Sequence, residues 1–141
     1  MMKTIPISII EVEFIAYKLA EKLMKFEEPI PDFGTRFPNI LESCLDTPFQ
    51  TFDGKYLYEG LTKKAAVLFY LMIKNHPFKN GNKRIGMMAM LYLLYKNGKW
   101  LDSDNQVLYN FAKWVAASDP SVKDATILVI EKFVGDHLSD L

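Results

Sequence analysis

The sequence has little cysteine and little histidine. One cysteine and two histidines occur in 141 residues, so an intramolecular disulfide is excluded and a zinc site of four cysteines and histidines is not expected. So small a number of cysteines is typical of proteins in a reducing compartment. We therefore expect a cytoplasmic protein whose fold depends on its hydrophobic core.

The sequence also lacks an excess of positive charge and any long apolar run. Its 17 lysine and arginine residues balance 17 aspartate and glutamate residues, whereas nonspecific binding to nucleic acid or acidic lipid needs net positive charge. The longest apolar runs, Ala65–Ile73 and Met87–Tyr95, are nine residues each, about half the length that spans a bilayer. The N-terminus has no signal-peptide pattern. We expect a soluble, unprocessed protein with no membrane contact and no direct nucleic-acid binding.

Apolar residues, by contrast, are abundant. Half of the chain is hydrophobic and 13% is aromatic, which is ample for a packed core and argues against disorder. The length is that of one typical domain, and the sequence contains no repeat and no long linker. We therefore predict a single domain over residues 1–141.

Hydrophobic spacing predicts helices along most of the chain. Ser8 and Glu11 form a capping-box signature, and the apolar stripe after them predicts a first helix to about Phe26, ended by Pro29 and Pro31. Two further helices are predicted in the middle of the chain, at 39–45 and from a Thr62 cap to about 75. A third is predicted at 85–96, with Gly98 as its C-cap. The last two run from Asp102, Ser103 or Asp104 to about 117, and over about 120–133 with Pro120 in the first turn.

Two segments differ from the other predicted helices and indicate how the fold is arranged. The helix at 85–96 is apolar on almost every side, so we expect it at the centre of the molecule. Asp53-Gly54 lies between aromatic and β-favouring residues, which indicates a short hairpin within 49–58. The predicted fold class is therefore all-α, a helical bundle around the central helix at about 85–96 with a β-hairpin flap near 49–58.

The segment from His76 to Arg84 interrupts the helices just before the central one. The proline after His76 disfavours helical geometry there, and the Asn-Gly-Asn run that follows is typical of a loop. The start of the next helix offers unpaired backbone N–H groups and the positive end of its dipole. Gly81 lets backbone approach a ligand closely, and Lys83 and Arg84 add two cations. These features predict a phosphate-binding site.

His76 is a candidate general base beside that site. Histidine is the residue type best suited to proton abstraction near neutral pH, and a base next to an anion site indicates transfer of a phosphate-containing group to a hydroxyl. The alternative is structural, because a lone histidine between helices usually only packs or hydrogen-bonds. Lys83 and Arg84 could likewise be a solvated helix start, although cations are disfavoured at a helix N-terminus that holds no anion.

This segment resembles the signature of the Fic/Doc proteins, which reads H-P-F-x-[D/E]-[G/A]-N-[G/K]-R. Six informative positions match in order, namely 76, 78, 81, 82, 83 and 84. Arg36 and the short helix after it look like the elements that precede the flap in Doc-like members, and the predicted hairpin lies where that family has its target-binding flap. The resemblance spans about residues 8–117 and implies the Fic/Doc-like helical bundle, with the helix at about 120–133 following it.

The resemblance implies a role for each matched residue. His76 would deprotonate a hydroxyl of a target protein, Phe78 would anchor the loop in the core, and Gly81, Asn82, Lys83 and Arg84 would hold the phosphates of ATP. The hairpin tip, which comprises Phe52, Asp53 and Gly54, and the separate Arg36 would contact the target or the nucleotide. Arg36 could instead pair with a surface carboxylate, which would contribute little.

Two positions favour the Doc branch of this family. Members that transfer AMP typically have glycine where this chain has Lys83, and a second arginine where it has Met87. The resemblance therefore implies a Doc-like kinase that phosphorylates a protein, for which a translation factor is one candidate. AMP transfer is the first alternative.

The resemblance to Doc also implies a toxin whose restraint comes from another protein. In the family's self-inhibitory signature, a serine or threonine is followed four residues later by a glutamate. Neither Ser8 nor Thr126 has a glutamate four residues later. We therefore expect a separate antitoxin as a partner.

Asn80 departs from the signature, which has an aspartate or glutamate that holds Mg²⁺. An amide oxygen lacks the charge that Mg²⁺ prefers in its ligands, so the metal would be held mainly by the phosphates of ATP. Asn80 could also be an ordinary turn residue. The second alternative to a kinase is therefore a nucleotide- or partner-binding module with weakened catalysis.

Overall fold

The computed structural model describes residues 3–24 and 26–141. Helices make up most of the described chain, and the only strands in these ranges form two small antiparallel pairs. The predicted all-α bundle with a short β flap is confirmed. Among the described residues, no helix is long and apolar enough to cross a membrane.

The first helical stretch changes its geometry partway along. It consists of α1 (Ile9–Glu11), a π-helix (Val12–Tyr17) and α2 (Lys18–Leu23). The predicted capping box is present, because Ser8 and Glu11 each accept from the backbone N–H of the other.

The prediction that this stretch continues to Phe26 is wrong. The helix ends at Leu23, which is 62% exposed. The π-helical turn shifts the phase of the helix, so the buried face runs through Val12, Ala16, Ala20 and Met24 and leaves Leu23 outside it.

The segment before the central pair holds one helix and the hairpin. Helix α3 (Pro38–Asp46) agrees with its prediction to within one residue at each end. A short 3-10 helix, Thr47–Phe49, leads into β1 (Thr51–Phe52), which pairs with β2 (Lys55–Tyr56). The turn between the strands has positive φ at both central positions, 55° at Asp53 and 77° at Gly54, as a tight hairpin turn requires.

The core is built around α4 (Gly60–Lys74) and α5 (Asn82–Lys96), which pack against each other. Helix α5 is buried on nearly all sides, as its composition predicts. Thr62 is not the cap of α4, because the helix already begins at Gly60 with Glu59 as N-cap. Gly98 follows the C-cap, Asn97, and adopts φ 80°, so it lies one position beyond its predicted place.

The last two helices cover the α4–α5 pair. Helix α6 (Asn105–Ala117) begins after Asp104, whose side chain accepts from the Gln106 N–H as an N-cap. A 3-10 helix, Pro120–Val122, leads into α7 (Lys123–His137), which runs four residues beyond its predicted end.

A second strand pair was not predicted. The strand β3 (Lys99–Leu101) pairs antiparallel with β4 (Leu138–Asp140), so the end of α7 is tied to the end of α5. Such short strands carry too weak a local pattern to be read from sequence, because their stability comes from the partner far along the chain.

Candidate functional site

The candidate site is the loop between α4 and α5. Its chain reverses through two left-handed positions, with φ 53° at His76 and φ 80° at Gly81. The proline after His76 keeps that residue out of helical geometry. The imidazole of His76 is exposed to solvent, where it is accessible to a substrate hydroxyl.

Asn82 closes this loop with its side chain. Its Oδ1 accepts from the Phe78 N–H at 2.9 Å, and its Nδ2 donates to the Phe78 carbonyl oxygen at 2.8 Å. The same Nδ2 lies 3.5 Å from Nδ1 of His76. The buried Asn82 therefore fixes the loop, and its amide nitrogen lies next to the imidazole of His76. Sequence reasoning assigned this residue to phosphate binding and missed its role in the loop, which the spacing of four between positions 78 and 82 could have suggested.

Phe78 anchors the loop in the core. Its ring is 3% exposed, and the ring centroids of Phe33 and Tyr17 lie 5.8 Å and 6.4 Å from its own. A backbone hydrogen bond of 2.8 Å from Phe37 to the carbonyl of Pro77 fixes the loop from the other side. The loop is therefore held by packing and by hydrogen bonds from two directions.

Arg36 lies close to this anchor. Its guanidinium carbon is 4.4 Å from the centre of the Phe33 ring, and Nη1 donates to the Phe33 carbonyl oxygen at 3.3 Å. Its Nε is buried and has no hydrogen-bond partner within the described ranges. In the same ranges Arg36 forms no ion pair with a carboxylate, so the surface-pair alternative is not what the structure shows.

The start of α5 is covered by residues 26–31, which we call the strap. Ile30 of the strap packs directly on Gly81, where a Cβ would come within 2.8 Å of the Ile30 side chain. Gly81 is therefore required both by its positive φ and by this close approach. The strap is the feature of the site that sequence reasoning missed most completely, since it was interpreted as the end of a helix and a loop.

Glu27 of the strap contacts the first of the two predicted phosphate-binding cations. Its carboxylate lies 3.4 Å from Nζ of Lys83 and accepts a short hydrogen bond from the Tyr109 hydroxyl. Burial alone would raise the pKa of Glu27, but the Tyr109 hydrogen bond and the charges of Lys83 and Arg84 lower it. Burial and the neighbouring carboxylate raise the pKa of Tyr109 to about 12. Glu27 is thus a stable anion beside Lys83.

Arg84 is directed into the protein rather than into solvent. The residue is 2% exposed, Nη2 donates to the Glu28 carbonyl oxygen at 2.8 Å, and Nη1 makes a longer contact of 3.5 Å to the Met24 carbonyl oxygen. Its Nε has no partner among the described residues. Arg84 borders a cavity of about 230 Å³ that is also lined by Glu21, Met24, Glu27, Pro29 and Ile30.

Asn80 does not build a metal site with its neighbours. Its Oδ1 accepts from the Gly81 N–H at 2.8 Å, which is an ordinary local turn contact. Among the described residues, no group of three or more histidine, cysteine, aspartate or glutamate side chains could hold a metal ion. The residues present therefore do not fit a Mg²⁺ ion held by the protein alone.

The predicted flap residues lie on an exposed turn. Phe52 is 76% exposed, and Asp53 and Gly54 form the tip of the hairpin. No hydrogen bond joins the tip to the loop among the residues that the structure covers. The structure thus places His76 beside Asn82, whereas the side chains of Lys83 and Arg84 contact the strap and the tip is an exposed surface.

Comparison with known proteins identifies the family. The model of the Fic/DOC family matches residues 12–94, more than half of the 141 residues, and this region includes the hairpin, α4, the loop and most of α5. No curated protein and no solved structure was found to match the chain. The chain belongs to the Fic/DOC family, which implies a Fic-type transferase in general.

Proposed function

We propose that the chain transfers the γ-phosphate of ATP to a hydroxyl of a target protein and acts as the toxin of a toxin–antitoxin pair. The observation that carries the proposal is the exposed imidazole of His76, which lies beside Asn82 just before a helix that bears Lys83 and Arg84. A base beside a cationic helix start fits the attack of a hydroxyl on a phosphate.

The proposed reaction is an in-line displacement. The substrate hydroxyl gives its proton to His76 while its oxygen bonds to the γ-phosphorus. The bond from that phosphorus to the β,γ-bridging oxygen breaks, and ADP leaves with the electron pair. Lys83, Arg84 and the backbone near Gly81 would stabilise the charge on the phosphate oxygens.

Position 87 supports a kinase over an AMP transferase. Met87, which stands where AMP-transferring members typically have that arginine, is an uncharged side chain buried in the core. The site therefore has the cations at 83 and 84 but not the second arginine typical of AMP-transferring members. Transfer of AMP is the alternative, and labelled ATP distinguishes it from transfer of phosphate.

Labelled ATP tests the reaction directly. The purified protein is incubated with a bacterial lysate and with ATP labelled either on the γ- or on the α-phosphate. Label from the γ position alone in a protein band is the expected result. Label from the α position would show AMP transfer, and label from neither position would favour the binding module.

The proposed antitoxin would have to keep nucleotide or target from this loop. Co-expression with the adjacent reading frame should restore the growth of a host that the chain arrests. Growth that is not restored, together with no complex on purification, would count against an antitoxin encoded there.

A change at Asn80 tests how the metal is held. We expect Asn80→Asp to lower the half-saturating Mg²⁺ concentration for transfer about tenfold, because a carboxylate adds charge that an amide oxygen lacks. An aspartate can still accept the Gly81 N–H, so the loop should keep its shape. The measurement is the transfer rate over a series of Mg²⁺ concentrations.

Asn75→Asp is the matched control for this change. Asn75 is the exposed C-cap of α4, so the variant adds the same charge just outside the motif. If both variants shift the Mg²⁺ dependence equally, general electrostatics rather than coordination at position 80 explains the effect.

A further inference from the structure

Lys64 is a charged residue at a buried position of α4. It is 2% exposed, and every residue of α4 from 64 to 73 is buried. A buried ammonium group needs partners, because its removal from water is costly. Burial lowers the pKa of Lys64, and the carboxylate of Glu59 opposes this in part.

The partners of Lys64 lie at the base of the hairpin. Its Nζ donates to the Tyr58 carbonyl oxygen at 2.5 Å and lies 3.9 Å from the centre of the Tyr56 ring. It also lies 5.8 Å from the centre of the Phe49 ring. Phe49 precedes β1, whereas Tyr56 and Tyr58 lie in and after β2, so one ammonium group contacts both sides of the hairpin.

The hairpin has few contacts of its own that could fix its orientation. Each strand has two residues, with Thr51 opposite Tyr56 and Phe52 opposite Lys55. One further backbone bond, from Leu57 to the Gln50 carbonyl oxygen at 3.0 Å, extends the pair. An isolated two-stranded hairpin is at best marginally stable in water, so its position depends on the contacts at its base.

Helix α4 connects this anchor to the catalytic loop. Lys64 lies near its start, and the helix ends at Lys74, two residues before His76. Residues 64 and 74 are ten positions apart, which corresponds to about 15 Å of helix. A rigid helix therefore sets the distance between the hairpin base and the histidine.

We propose that Lys64 is a positioning residue that fixes the hairpin to α4 and thereby sets where a target segment paired with the hairpin lies relative to His76. The anchoring concerns this chain alone, whereas its consequence for the target rests on the proposed function. A target strand that adds to the free edge of the hairpin takes its position and direction from that edge. A hairpin of variable orientation would therefore hold the hydroxyl of the target poorly in front of His76.

Hydrogen exchange tests the anchoring without any activity. In Lys64→Met, which keeps the apolar stem but loses the ammonium group, we expect the Leu57 amide, which donates to the Gln50 carbonyl oxygen, to exchange about tenfold faster. The core amides of α5 should be unchanged. Lys63→Met is the matched control, because Lys63 pairs with Glu131 at 3.2 Å on a partly exposed surface. Equal exchange in both variants, or faster exchange throughout Lys64→Met, would overturn the anchoring.

Transfer kinetics test the consequence. If the wild type transfers phosphate, Lys64→Met should need about tenfold more lysate protein to reach half of its maximal transfer rate. Its affinity for a fluorescent ATP analogue should be unchanged. Lys64→Arg should restore part of the loss. An unchanged half-saturation would overturn the positioning role. If the wild type transfers nothing while hairpin exchange still responds to Lys64→Met, the anchoring stands and the proposed function fails.

Discussion

Replacement of His76 by alanine is expected to lower phosphate transfer by a factor of about 10²–10⁴, and a bacterial host that the wild-type chain arrests should then grow. The imidazole is the exposed base of the loop, and no second histidine lies in the motif. Without it, the substrate hydroxyl must lose its proton to water. The measurements are growth after induction and the rate of label transfer from γ-labelled ATP.

His76→Asn is the control for the backbone at this position. Asparagine tolerates positive φ better than most residues, so the variant should keep the loop while it removes the base. Nucleotide affinity should stay within about twofold of the wild type, since the cations remain. Equal growth arrest by wild type and both variants would exclude His76 as the base.

A glycine at position 76 is expected to make the protein more stable while it abolishes activity. A non-glycine residue at φ 53° is strained by roughly 1–2 kcal/mol. We expect His76→Gly to raise the free energy of unfolding by about 1 kcal/mol, after the entropic cost of glycine is subtracted, and to be inactive. Urea unfolding measures this. A variant less stable than the wild type would show that the imidazole itself supports the fold.

The parts of the site that could be read from sequence are those fixed by local chemistry. The loop follows from a proline beside His76 and from Gly81, and the hairpin follows from Asp53-Gly54, since each depends on backbone preferences of adjacent residues. Helix α5 follows from its apolar composition. These features involve neighbours in the chain, so the sequence alone contains the information.

The features that sequence reasoning missed depend on residues far apart in the chain. Arg84 donates to Glu28 across 56 positions, and Tyr109 donates to Glu27 across 82. Nothing in the local pattern of residues 26–31 marks them as the cover of a helix start. Likewise the sequence around Lys64 does not distinguish it from an exposed lysine, because its partners belong to the hairpin. Tertiary contacts therefore determine the roles of Arg84, Glu27 and Lys64.

Replacement of Arg84 by alanine is expected to release the strap and to lower the free energy of unfolding by about 3 kcal/mol. The variant loses a charge-assisted hydrogen bond to the Glu28 carbonyl oxygen and leaves a cavity where a side chain now lies 2% exposed. A domain of this size is stable by roughly 5–15 kcal/mol in total, so the loss is large. Urea unfolding gives the free energy, and limited proteolysis should show new cleavage between residues 24 and 31.

Glu27→Gln tests whether the strap is held by the buried Arg84 or by the partly exposed ion pair between Glu27 and Lys83. The ion pair of Glu27 with Lys83 is partly exposed and is therefore worth about 0–1 kcal/mol, while glutamine can still accept from the Tyr109 hydroxyl. We expect this variant to lose less than about 1 kcal/mol and to keep the strap protected from protease. Losses of equal size in Arg84→Ala and Glu27→Gln would mean that the ion pair, not the guanidinium, holds the strap.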